Sequence, residues 1–170
     1  RFDFQFPPNS GNSLLTAQGA FAIKLTVKEL SVFVNGEFRL GTEAQPLILA
    51  RTQLLFVARL SFFNYAGKFN IAASLDLPGL KLSGSMQILF NTTFEEVNYV
   101  VPPFIQSAVG VNSIIIPAGA PRANGTTGPP AIYFALDVMG AVKVLDLFEF
   151  KGEFHFVLEA AELTIELAHE

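Results

Sequence analysis

Residues 80–88 read LKLSGSMQI and residues 148–156 read FEFKGEFHF, and these two stretches decide the fold. In each stretch apolar and polar side chains alternate, and a glycine, Gly84 or Gly152, takes the central apolar place. Alternation is typical of a half-buried β-strand, because successive side chains of a strand point to opposite faces of the sheet. The two stretches therefore predict antiparallel strands with one apolar face and one polar face.

The same pattern occurs six times and organises the chain as a repeat. The central glycines are Gly19, Gly36, Gly67, Gly84, Gly140 and Gly152. Gly19 and Gly36 are 17 residues apart, and so are Gly67 and Gly84. The second pair lies 48 residues after the first. We therefore expect three copies of a two-strand unit, at approximately 13–57, 58–100 and 131–168, within one β domain over 1–170. A third strand is expected to close each copy, at 47–49, 97–99 and 163–167.

The predicted fold class is all-β, with antiparallel sheets built from three two- to three-strand amphipathic repeats. Either a β-sandwich or a curled open sheet fits this pattern. The apolar face is expected to be buried, and its members include Phe21, Phe38, Phe69, Met86, Val142 and Phe154. Glycine weakens a strand, so its place on that face predicts either an aromatic ring packed over it or a bend in the sheet.

A Pro/Gly-rich insertion over 101–130 interrupts the repeat and holds six of the ten prolines. One short strand is predicted inside it, within 109–116. Long ordered loops often carry function. The insertion is therefore one candidate for a contact surface.

Composition points to a surface that something covers. Hydrophobic residues make up 51% of the chain and charged residues only 15%, against a usual ~25% charged. A net charge of −4 without a Lys/Arg cluster argues against a nucleic-acid partner. The longest uncharged runs cross proline, glycine and asparagine, so no transmembrane segment is predicted. Part of the surface is expected to contact a neighbouring copy or a lipid.

The sequence predicts no catalytic, cofactor-binding or metal-binding residue, and no cofactor. The two histidines, His155 and His169, are not at metal-ligand spacing and are expected at the surface. Two Asn-X-Thr sequons begin at Asn91 and Asn124. Both predict exposed acceptors for glycosylation if the protein is secreted into a glycosylating compartment.

The amino-terminal run carries Phe2, Phe4 and Phe6 in alternation and then stops at Pro7-Pro8. It lies outside the three repeats. One hypothesis is a donated strand, in which these three rings insert into the apolar face of an adjacent subunit. The alternative is that the run closes its own sheet.

Three phrases give the chain a resemblance to known proteins, at 80–93 (LKLSGSMQILFNTT), 116–121 (IPAGAP) and 132–134 (IYF). Over roughly 60–168 the sequence resembles the repeat modules of very large tandem-repeat bacterial proteins that are exported. The resemblance implies an extracellular or cell-surface array and no defined activity.

The leading hypothesis is therefore a non-enzymatic structural protein, outside the cytoplasm, that assembles with itself. Strand-edge or donated-strand contacts would produce a filament or an array. One alternative is a β-groove that binds a lipid or another apolar ligand. A second alternative is a surface adhesion module that acts through the insertion.

Overall fold

The computed structural model describes residues 1–6, 14–59, 64–93, 95–119, 132–145, 147–159 and 162–169. These residues are almost entirely β, as predicted. The elements in chain order are β1 (Phe2–Phe6), β2 (Leu15–Leu25), β3 (Glu29–Gly41), β4 (Pro46–Arg59), β5 (Asn64–Leu77), β6 (Leu80–Asn91), β7 (Val97–Val100), α1 (Pro103–Val109), β8 (Ser113–Ile116), β9 (Tyr133–Val144), β10 (Phe148–Glu159) and β11 (Glu162–His169).

Nine strands form one open antiparallel sheet in the order β1-β2-β3-β4-β5-β6-β9-β10-β11. The strands of all three predicted repeats join this sheet edge to edge, so of the two predicted arrangements the open sheet is the one observed. The register pairs Gly19 with Gly36, and Gly140 with both Gly84 and Gly152. A shared pattern thus aligns equivalent residues on neighbouring strands.

The strand predicted at 97–99 forms, but it does not close the second repeat. β7 pairs with β8 in a separate two-stranded sheet, while β9 takes the edge of β6. β8 realises the short strand predicted in the insertion. It is preceded by α1, which begins with proline and ends at Gly110 in the left-handed conformation, with φ 75°. The strand predicted at 163–167 forms as β11 and pairs with β10.

The buried core lies on the face opposite to the predicted one. β7, α1 and β8 cover one end of the polar-patterned face, where Phe33, Leu55 and Val57 are buried together with Ile105 and Ile116. Strand β4 reads LLFVA over 54–58, so its polar-patterned face is apolar at Leu55 and Val57, where the inserted segment covers it. The inserted segment is the only second layer that the described residues supply.

The burial predicted for the apolar face is therefore wrong. Phe21 is 53% exposed, Phe38 is 40% exposed and Val142 is 37% exposed. Phe69, Met86 and Phe154 are only partly buried. The alternation of faces is observed, but no other layer of the described chain lies over this face. The chain exposes 11,053 Å², about a third more than the roughly 8,200 Å² of a compact monomer of this mass.

Replacing Phe33 tests the position of the core. Phe33 is fully buried and its ring stacks on Tyr99, with 5.9 Å between ring centroids. Phe33→Ala should lower the free energy of unfolding by about 3–5 kcal/mol in urea titration, because it leaves a cavity between the two layers. Phe150→Ala, whose ring is 64% exposed on the other face, should cost less than about 1 kcal/mol. Equal losses would contradict this assignment.

Tyr99 makes the same layer sensitive to alkaline pH. Burial, followed by the Glu29 carboxylate, raises the pKa of Tyr99 above its ordinary value of 10.0. The folded state holds the phenol proton more tightly, so this stabilisation is complete below pH 10.0 and is lost as pH rises through the folded pKa. Urea titrations from pH 8 to 11 should show a steeper alkaline loss for the native chain than for Tyr99→Phe. Parallel pH profiles would contradict the assignment.

Candidate functional site

The side of the sheet that carries the glycines is apolar, and we call it the apolar face. Register places no charged side chain on it along strands β1–β6, β9 and β10. Its exposed large side chains are Phe2, Phe4, Phe6, Phe21, Ile23, Leu25, Phe38, Leu40, Tyr65, Ile71, Leu77, Leu82, Val138, Val142, Phe148, Phe150 and Leu158. An exposed apolar surface of this extent marks a contact site.

Aromatic rings cover two of the glycines on the apolar face. A Cβ atom at Gly19 would meet the ring of Phe2, and a Cβ atom at Gly67 would meet the ring of Phe90. Each ring belongs to the residue paired with that glycine across the sheet. The first of the two explanations for these glycines, an aromatic ring packed over a residue without a side chain, is therefore confirmed at both positions.

The other end of the sheet has a strip without side chains on the apolar face. Gly84, Gly140 and Gly152 are neighbours in register, and we call them the glycine strip. A Cβ atom at Gly152 would meet nothing within 4 Å, and those at Gly84 and Gly140 would meet only backbone oxygens. Among the described residues, no ring packs over this strip.

Within one chain the amino-terminal run pairs with its own sheet. β1 pairs antiparallel with β2 over its full length, from Phe2 opposite Gly19 to Phe6 opposite Leu15. This is the arrangement given as the alternative, and donation of the same strand to an adjacent subunit stays a prediction. β1 packs well beside β2 because the small residues Gly19 and Ala17 leave room for the rings of Phe2 and Phe4, which are paired with them. Phe2, Phe4 and Phe6 stay 46–59% exposed at one end of the apolar face.

The exposure predicted for Asn91 is wrong. Its side chain is fully buried, and its Nδ2 donates to the carbonyl oxygens of Glu95 and Pro117 at 3.0 and 2.8 Å. Its Oδ1 accepts from the backbone N–H of Thr93 at 2.8 Å. The amide therefore joins β6 to the inserted segment and is inaccessible to glycan transfer in the folded chain. The second sequon, at Asn124, lies outside the described residues.

The opposite side of the sheet, which we call the polar face, carries a row of aligned polar side chains. Cross-strand register runs from β3 to β10 through one polar residue per strand. The members of this polar row are Asn35, Gln53, Asn70, Gln87, Asp137 and His155. The row was not predicted from the sequence, although the sequence contains a signal for it. Asn70, Gln87 and His155 each follow a repeat glycine by three residues, and Asp137 precedes one by three.

Side-chain contacts order one end of the polar row. Gln87 Nε2 donates to Asp137 Oδ2 at 3.0 Å, and Asp137 Oδ1 contacts His155 Nδ1. The histidine lies at the surface, as expected, but its ring is held by a carboxylate. A carboxylate at Nδ1 fixes the orientation of an imidazole and leaves Nε2 as the nitrogen for a further partner.

Two neighbouring cavities open on the polar face. The larger, about 740 Å³, is lined by the polar row together with Arg51, Ala72, Ser85, Met139 and Glu153. The other, about 450 Å³, shares those five residues and extends over Ser74, Ser83 and Ala141. The floor consists of small side chains. Arg51 Nε donates to Glu37 Oε2 at 2.8 Å, which pairs the guanidinium at one wall.

No group of three or more histidine, aspartate or glutamate side chains in the described part of the chain is arranged to hold a metal ion. His169 lies in β11, and its side chain is not among those described. No described helix is long and apolar enough to cross a membrane. Comparison of the chain with protein-family models, curated proteins and solved structures gives no match.

Substitution of a covered and an uncovered glycine tests the packing of the apolar face. In Gly19→Ala the new Cβ atom would lie 2.6 Å from the Asn35 carbonyl oxygen as well as against Phe2. Backbone must move to relieve that contact, so we expect a loss of roughly 1–3 kcal/mol in urea titration. Gly152→Ala meets open space and should change stability by less than about 1 kcal/mol. The reverse order would contradict the packing described.

Proposed function

We propose that the protein is a non-enzymatic structural subunit that assembles with copies of itself through the apolar face. The observation that carries the proposal is an uncharged face along β1–β6, β9 and β10, over which no layer of the described chain lies. The resemblance to exported repeat modules supports an extracellular or cell-surface location. Association would bury the surface that the chain leaves exposed.

The size of the face supports a stable interface. A sheet of nine strands, each about 11 residues long, covers roughly 1,500 Å², given ~4.8 Å between strands and ~3.3 Å per residue. Specific interfaces bury about 800 Å² per partner, whereas the largest apolar patch of an ordinary monomer is about 300–600 Å². The apolar face is therefore large enough for a full protein interface.

A second copy fits this face in shape as well as in area. Two apolar sheets pack about 10 Å apart with their strands within about 30° of each other, and their side chains interdigitate. The glycine strip supplies a hollow, while the exposed rings of Phe148 and Phe150 on the same hairpin project from the face. Rings of one copy would fill the hollow of another. The two sheets, packed face to face, would then form a β-sandwich.

The two free edges give the pair a means to grow into a filament or array. β1 and β11 end the sheet, and nine antiparallel strands make both edges run in the same direction. Joining β11 of one copy to β1 of the next therefore gives a parallel contact. Joining like edges about a two-fold axis gives an antiparallel contact, which is slightly more stable per residue. Both contacts keep the apolar faces on one side.

The two alternative functions, an apolar-ligand groove and an adhesion module, receive less support from the geometry. A groove for an apolar ligand needs a concave apolar surface, and the two cavities described above open on the polar face instead. The adhesion hypothesis depends on the insertion, of which residues 120–130 lie outside the described residues.

A charge on the apolar face should block assembly. Val138 and Met139 are consecutive residues of β9 on opposite faces, 37% and 50% exposed. We expect Val138→Lys to sediment as a monomer where the native chain forms dimers or larger species, because burying an unpaired ammonium in the interface is costly. Met139→Lys, the matched control, should assemble like the native chain.

Analytical ultracentrifugation measures the assembly, and far-UV circular dichroism checks that both variants remain β-rich. A native chain that stays monomeric at all concentrations would overturn the proposal. Failure to self-associate combined with binding to phosphatidylcholine vesicles would favour the lipid alternative. Equal assembly of the two variants would place the interface elsewhere.

A further inference from the structure

The polar row is a straight series of hydrogen-bonding groups across the sheet. Its six residues lie on six consecutive strands, so they recur about every 4.8 Å over roughly 24 Å. Four of them, Asn35, Gln53, Asn70 and Gln87, are amides that donate and accept hydrogen bonds. A ligand that matches the row is extended, periodic and rich in groups that both donate and accept.

One end of the row is held in place before any ligand binds. Asp137 contacts Gln87 through one carboxylate oxygen and His155 through the other. These contacts restrict the rotamers of three adjacent side chains, which lowers the entropy lost on binding. Gln87 Oε1 and His155 Nε2 are the remaining polar atoms of this group.

The middle of the row contains an acceptor that requires a donor. Asn70 Oδ1 is buried and has no hydrogen-bond partner within the described part of the chain. A buried polar atom without a partner is costly, so such atoms are uncommon in folded proteins. Asn70 lines the larger cavity, but its Oδ1 is closed to solvent, so the amide must turn toward the cavity before a ligand hydroxyl can supply the missing donor.

The charged groups beside the row disfavour an anionic ligand. Arg51 is already paired with Glu37. Asp137 and Glu153 place two carboxylates at the larger cavity, so a neutral ligand fits better than an acidic one. Beside the row, on the same face, small residues such as Ala72 and Ser85 line the cavities. They leave room for a ligand chain to lie across the strands. A peptide would use its backbone better by joining a strand edge. A sugar chain presents hydroxyl groups, each both donor and acceptor, about once per row residue.

We propose that the polar row and the two cavities beside it bind an extended, neutral oligosaccharide chain. The chain lies across the strands, with sugar hydroxyls on the four amides and on His155 Nε2, and with one hydroxyl donating to Asn70 Oδ1. This site is on the opposite face from the assembly surface. A subunit that is assembled through the apolar face can therefore hold a glycan on its polar face.

Isothermal titration calorimetry with cellohexaose tests the site in the full chain. Asn70→Ala and Gln87→Ala should each weaken binding by about tenfold, because each removes one amide from the row. Asn98→Ala removes an exposed amide of β7 outside these cavities and should bind like the native chain. Circular dichroism confirms that the variants fold.

Three results would overturn the inference. They are no binding of cellohexaose at millimolar concentration, equal affinity of the row variants and the native chain, and tighter binding of an oligogalacturonate or of a Gly-Ser hexapeptide. Val138→Lys separates the two proposals. It should keep its affinity for cellohexaose even though it fails to assemble, and loss of binding in that variant would show that the sites are not independent.

Discussion

The whole structure depends on a register that keeps the apolar residues of neighbouring strands opposite one another, on one face of the sheet. Gly84, Gly140 and Gly152 are paired in sequence across three strands. A shift of one residue in any of these pairings would move a whole strand's apolar set to the polar side. That shift is costly along the strands that alternate, such as β6 and β10, because it would exchange their apolar and polar faces. Both surfaces, the apolar face and the polar row, are consequences of this single constraint.

The inserted segment decides which part of the sheet acquires a second layer. β7, α1 and β8 pack over Phe33, Leu55 and Val57, and Asn91 joins β6 to this segment through its amide. The layer covers only one end of the polar-patterned face. The rest of that face remains open as cavities, and the apolar face has no layer from the described chain. A second layer that is incomplete within the described chain thus accounts for the large exposed area.

Strand positions were predictable from sequence because alternation is a local property. Residues 80–88 contain the pattern, the glycine and both faces without reference to any other segment. The identity of the buried face was not predictable in the same way, because it depends on where the insertion folds. Phe38 and Phe33 both lie in β3 and are both aromatic, yet one is 40% exposed and the other fully buried. The only local sign was the unbroken apolar run 54–58.

The polar row also could not be predicted from local sequence. Each member appears in the sequence as an ordinary polar residue of an amphipathic strand, and His155 was expected only at the surface. Its meaning arises from the register, which brings Gln87, Asp137 and His155 together from positions up to 68 residues apart. Because side chains alternate strictly, a residue that strengthens the row cannot also contribute to the apolar face. Substitutions in the polar row can therefore leave the apolar face unchanged.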